Sequence, residues 1–120
     1  AECGKWHDTA PEGCSKTAGQ TLAMEFLNLY HLNAWLILPA SKDANCAMVE
    51  LMAAKKQTPA WFITHWWGEP IGDFVACVAK HVCIRCLSRD SPYWVCAYAN
   101  RQHSLDDELS ADPTETSFCK

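Results

Sequence analysis

The sequence predicts an α/β protein, a parallel sheet built on one βαβ unit and preceded by two helices. Two observations predict the strands. Trp61-Phe62-Ile63-Thr64 is a short continuous apolar run, the pattern of a strand buried on both faces. Tyr93-Trp94-Val95-Cys96-Ala97-Tyr98 is a second, aromatic and β-branched. A third predicts the crossover: Ile71, Phe74, Val75, Val78 and Val82 recur at helical spacing between them. Strand, helix, strand is the order that pairs two strands in parallel.

Upstream, residues 1–16 are polar and carry no apolar period, so they read as an arm. Residues 17–57 read as a helical segment. Leu22, Met24, Phe26, Leu27, Leu29 and Tyr30 form an apolar stripe from Thr21, closed near Asn33. Trp35-Leu36-Ile37-Leu38 is a short apolar run stopped by Pro39, a strand or an extended packing segment. Ser41 or Asp43 can cap a second helix that buries Cys46, Val49, Leu51, Met52 and Ala53 and ends at Lys55-Lys56-Gln57. Residues 58–120 hold the βαβ segment, with Pro70 at the first helical position. Asp112-Pro113-Thr114-Glu115 then reads as a helix start five residues before Lys120. A helix start without a helix implies that the natural chain continues.

Composition bounds the function. The chain of 120 residues, 49% apolar, has the make-up of one small globular domain rather than of a disordered segment. The net charge is −4 and no basic run appears, which argues against a nucleic-acid partner. The longest uncharged apolar stretch, Leu32 to Ala40, falls far short of the roughly 20 residues a membrane span needs. No signal peptide is evident, and an intracellular location, cytoplasmic or organellar, is expected. Eight cysteines invite a disulfide reading, but Cys46, Cys77, Cys83 and Cys96 lie in apolar periodic segments, where Cys behaves as a small hydrophobe. Cys3 and Cys14, in the polar arm, are the best candidates for a bridge.

The strongest candidate site is the strand-to-helix junction His65-Trp66-Trp67-Gly68-Glu69, preceded by Thr64. Ligands of parallel sheets bind beyond the carboxyl ends of strands, where a helix start offers N–H groups to an anion. The second strand would deliver Asn100, Arg101, Gln102 and His103 to the same edge. The competing reading is that Trp66 and Trp67 roof the sheet and the polar residues cap helices. Cys83-Ile84-Arg85-Cys86, with Cys77 and His81 upstream, is a zinc candidate placed against the habit of such sites, since it lies near a helix end. A redox CxxC favours a helix start, where the thiolate is stabilised, so the place of this one near a helix end argues against that role too. Cys3, His7 and Cys14 have only loose ligand spacing, and Asp106-Asp107-Glu108 is the pattern of a solvated run. No GxSxG, P-loop, GxGxxG or HExxH motif is present.

Residues from about 30 to 120 resemble a TIR-like domain, in a version found in dinoflagellates and other protists. Trp61-Phe62-Ile63-Thr64-His65-Trp66-Trp67-Gly68-Glu69-Pro70 carries the resemblance most specifically. Asp73-Phe74-Val75, Tyr93 to His103, Asp112-Pro113 and the Asn33–Ala40 stretch accompany it. The resemblance implies a flavodoxin-like parallel sheet, here partial, and a role in self-association or signalling; some members cleave NAD. The family's catalytic Glu follows a third strand that this chain does not reach, so no residue receives that role. Thr64, His65, Trp67 and Asn100 to His103 correspond to loops near the family's nucleotide pocket.

The expected function is therefore a non-catalytic protein-interaction module of TIR-like type. It would dock a protein partner, or a second copy, through an open sheet edge. An accessory subunit of a larger organellar or photosynthetic complex, which may sit on a membrane, and a fragment of an NAD-binding or NAD-cleaving enzyme are the alternatives. No cofactor is expected; NAD and zinc are the two the residues leave open.

Overall fold

A computed structural model describes residues 6–17 and 19–105. The chain divides into two compact units, each discontinuous in sequence. Unit 1 is Ala1–Trp35 with His65–Ser91, and unit 2 is Leu36–Thr64 with Pro92–Lys120. A 3-10 turn at Met24–Phe26 is followed by α1 (Leu29–Leu32), a π turn (Asn33–Ile37), α2 (Leu38–Ser41) and α3 (Met48–Met52). Then come β1 (Trp61–Ile63), α4 (Ile71–Ile84), β2 (Tyr93–Val95) and α5 (Cys96–Ala99). β1 and β2 pair in parallel, with Trp61 opposite Tyr93, Phe62 opposite Trp94 and Ile63 opposite Val95. The βαβ order and the mixed α/β class read from the sequence are thus present.

In unit 1 the helix expected from Thr21 begins only at Leu29. Asn28 is the reason. Its side-chain oxygen accepts from the N–H groups of Tyr30 (3.0 Å) and His31 (3.4 Å), while His31 Nδ1 accepts the Asn28 N–H at 3.0 Å. These bonds satisfy the helix's first orphan donors and fix an extended backbone just before it. Of the expected stripe, Leu22 and Leu29 are buried and Met24 is exposed.

Asn33 does not end this helix, and the stretch Trp35 to Leu38, expected as extended, is helical. The π turn ends two residues before Pro39 and includes Trp35, the residue one turn back from it. Proline has no N–H to give, and its ring clashes with the carbonyl one turn back in a regular helix. Ser41, expected to cap the next helix, instead closes this one, its hydroxyl donating to the Ile37 carbonyl at 2.7 Å.

In unit 2 the helix expected up to Gln57 shrinks to α3. The Ala47 N–H donates to Glu50 Oε1 at 2.9 Å, which starts it. Val49, Leu51 and Met52 are exposed rather than buried. Within α3 only Met48 is even half-buried; the residues flanking the helix, Ala47 with half-buried Cys46 and Ala53, face inward instead. β1 is not buried on both faces either: Phe62 is 49% exposed, while its partner Trp94 is 8% exposed. Their rings stack, with centroids 4.5 Å apart.

The second expected strand also ends early. After Val95 the chain turns into α5, because the Cys96 carbonyl finds donors: the Asn100 N–H at 3.2 Å and the Gln102 side-chain amide at 3.2 Å. Ala97 is fully buried. α4 matches its expected stripe only in part. It starts at Ile71, after Pro70, and Val75 is 56% exposed. It ends in a turn closed by Cys86 N–H to Cys83 O (3.2 Å) and Leu87 N–H to Val82 O (3.0 Å). Cys86 occupies the left-handed position, φ 52°, where glycine is usual. No helix among the described residues is long and apolar enough to cross a membrane. Cys3, Asp106 to Glu108 and the helix start at Asp112 to Glu115 lie outside the described residues.

Candidate functional site

The two predicted clusters fall in different units: His65 to Glu69 in unit 1, Thr64 and Asn100 to His103 in unit 2. Each is held by its own local bonds.

The His65–Glu69 segment is fastened to the start of α1. The Trp67 carbonyl accepts the Leu29 N–H at 3.0 Å, and the Trp67 ring meets Tyr30 edge-on, centroids 5.6 Å apart. The Leu27 carbonyl accepts the Ile71 N–H at 2.7 Å. That N–H is one of the donors a helix start would offer an anion, and Asp73 adds a carboxylate to the same turn. Gly68 is buried under the Trp66 indole, so close that a Cβ there would overlap the ring carbons. The absence of a side chain is therefore used by Trp66, which is itself 58% exposed. His65 stacks on Phe74 with centroids 4.3 Å apart. Both its ring nitrogens are shielded from solvent and have no hydrogen-bond partner among the described residues. Burial holds its pKa below the usual histidine range, against the opposing pull of Glu69. A neutral ring packed on Phe74 is the result, and Glu69 is half-buried beside the turn that joins Trp66 O to its own N–H.

In unit 2 the Asn100–His103 cluster has divided roles. Asn100 is 4% exposed. Gln102 caps α5 through the Cys96 and Ala97 carbonyls. His103 Nε2 donates to the Leu38 carbonyl at 2.6 Å. Arg101 alone of the four lines a cavity of about 680 Å³, together with Lys56, Glu50, Tyr93 and Trp94. Thr58, Pro59 and Pro92 line it too, so it lies where the chain enters β1 and β2. That is the amino-terminal end of the strands, opposite to the end the sequence singled out. Thr64, just past β1, is exposed.

Cys77, His81, Cys83 and Cys86 do not assemble. Among the described residues no group of three His, Cys, Asp or Glu side chains could hold a metal ion. Cys77, Cys83 and Cys86 are exposed free thiols, and Cys14 is also a free thiol.

Sequence reasoning missed a buried polar cluster around Asp8. Asp8 is 4% exposed and His31 fully buried. The carboxylate accepts from Ala10 N–H (3.0 Å), Thr17 Oγ1 (2.7 Å), Ser15 Oγ (2.5 Å) and His31 Nε2 (2.5 Å). Because His31 Nδ1 already accepts the Asn28 N–H, the ring carries its proton on Nε2 and donates it to Asp8 as a neutral imidazole. Burial alone would raise the Asp8 pKa; the Ser15, Thr17, Ala10 and His31 donors outweigh it and bring the value down to about 2. The arm is thereby tied to α1, with Trp6 stacked on Trp35 and the Trp35 indole N–H donating to the His7 carbonyl at 2.9 Å. A usable signal was present: Asn28 and His31, three apart at a helix start, are a capping pair. No family model matches the chain, and neither the curated proteins nor the solved structures give a match.

Proposed function

We propose that the chain is a non-catalytic interaction module, of the TIR-like type its Thr-His-Trp-Trp-Gly-Glu-Pro string resembles, and that it docks through the sheet of unit 2. The half-exposed Phe62 carries this reading. Parallel sheets in water are almost always covered on both faces, because their hydrophobic strands have no solvated side. Here a Phe lies on the sheet surface, stacked on Trp94, with half of its area open to water. The sheet also has only two strands among the described residues, so each strand has one side without a strand neighbour. Such an edge is a template for pairing with another chain. A partial flavodoxin-like sheet completed by a second copy or by a partner would satisfy both features.

Light scattering across a concentration series tests it. Association of the wild-type chain, abolished by Phe62→Lys with an unchanged circular dichroism spectrum, is the expected result. A strict monomer that captures no partner would sink the reading. Capture of a partner without self-association would turn it toward the accessory-subunit alternative.

A further inference from the structure

We propose that residues 65–69 form an acid-released catch: an uncharged His65 ring holds the segment closed on Phe74, and a proton on that ring opens it. The inference concerns unit 1 alone, so it stands apart from the docking reading, which rests on Phe62 in unit 2.

The closed state is built on a histidine that makes no hydrogen bond through its ring. That ring stacks on Phe74 of α4, with centroids 4.3 Å apart and planes 28° from parallel. Both ring nitrogens are shut off from water, and neither meets a partner among the described residues. A neutral ring leaves one N–H donor and one bare nitrogen unanswered there, a modest cost. A protonated ring would leave two donors and a full charge unanswered, and a buried charge without a partner is far more costly. His31, in the same unit, shows the contrast. One of its nitrogens accepts the Asn28 N–H and the other faces Asp8. His31 is answered on both sides, whereas His65 fits its place only when uncharged.

The charges near the ring do not reverse this. Glu69 is the carboxylate whose charge reaches His65, and it favours the proton; burial outweighs it and keeps the ring's pKa below 6.5. On α4, Asp73 and Cys77 flank Phe74 and are exposed. On α1, Tyr30 meets the Trp67 ring and His31 is held by Asp8. Lifted off Phe74, an imidazolium reaches water. The open state therefore binds the proton more tightly than the closed one, and acid shifts the population toward it. The closed state keeps its full advantage above about pH 6.5 and loses it progressively below. Two backbone bonds report on closure: Glu69 N–H to the Trp66 carbonyl and Leu29 N–H to the Trp67 carbonyl, each 3.0 Å.

The test is nitrogen-15 NMR on the full chain. The His65 ring should titrate below 6.5. Amide exchange, corrected for its intrinsic pH dependence, reads the opening. Protection at Leu29 and Glu69 should fall by about fivefold between pH 7 and pH 5.5. The Asn100 amide of unit 2, bonded to the Cys96 carbonyl, should keep its protection and so mark the opening as local. His65→Phe keeps a ring to stack on Phe74 and has nothing to titrate, so protection in that variant should be flat over the same range. The proposal is overturned by a His65 ring that titrates at or above 6.5, by unchanged protection at Leu29 and Glu69, by an equal fall at Asn100, or by the same fall in His65→Phe. The first three readings come from the wild-type chain and decide the matter even where the variant does not fold.

Discussion

In unit 1 the polar groups around Asp8 answer one another, whereas unit 2 turns Phe62, Lys56 and Thr64 toward solvent. Asp8 has four donors, His31 uses both ring nitrogens and Asn28 serves as cap. Unit 2 buries Ile37, Ala47, Trp94 and Ala97, yet leaves Phe62 half exposed and sets Arg101 and Lys56 around a cavity. The difference teaches how to separate stability from binding in a small chain. A buried charge with a full set of donors is costly to disturb, because every lost partner leaves another group unsatisfied. An exposed aromatic can be replaced with little effect on folding.

The largest expected effect breaks the comparison from the unit 1 side. His31→Ala removes a donor from Asp8 and the acceptor of the Asn28 N–H, and opens a void. It should cost about 3 kcal/mol in urea unfolding. Phe62→Ser, on the unit 2 side, should stay within about 1 kcal/mol. Equal losses in the two variants would remove the distinction.

The pH dependence sharpens it. Asp8 titrates at about 2 in the folded protein, below its ordinary 3.8. A depressed carboxylate contributes stability that is fully present above the ordinary value and is lost as pH falls through the folded one. The loss should therefore run between about pH 4 and pH 2 and amount to about 2 kcal/mol. Asp8→Asn should flatten that part of the stability–pH curve; an unchanged slope would contradict the assignment.

Smaller effects probe the two turns of unit 1. Gly68→Ala pushes against the Trp66 indole. Since Trp66 is more than half exposed, the ring can swing away, so a loss of about 1 kcal/mol is expected, with a shift in tryptophan fluorescence. Cys86→Gly relieves a left-handed residue in an exposed turn and should raise stability by about 0.5 kcal/mol, read as a rise in thermal midpoint.

The parts legible in the sequence were those set by continuous local pattern. The run at Trp61, the stripe from Ile71 and the run at Tyr93 became β1, α4 and β2 in parallel pairing. Boundaries went astray where a single hydrogen bond decided them. Asn28 delayed α1, and the Gln102 amide helped turn Cys96 to Ala99 from strand to helix. Pro39 misled because a π turn can precede it. The candidate site was legible only in Arg101, since the rule for parallel sheets points to carboxyl ends and the cavity lies at the amino ends. The Asp8–His31 contact spans 23 residues, and no local period reports such a pairing.

The division of the chain into two discontinuous units has a consequence for how the molecule can be cut. The backbone passes from one unit to the other after Trp35, after Thr64 and after Ser91. Neither unit is therefore a contiguous fragment, and any truncation between these points takes part of both. β1 and β2 meet only after the whole of residues 64–92 has been made, so a nascent chain holds one strand without its neighbour until residues 93–95 follow. Expressing residues 36–64 alone would yield β1 with nothing to pair with. A soluble half of this protein would have to be made by rejoining segments, not by trimming an end.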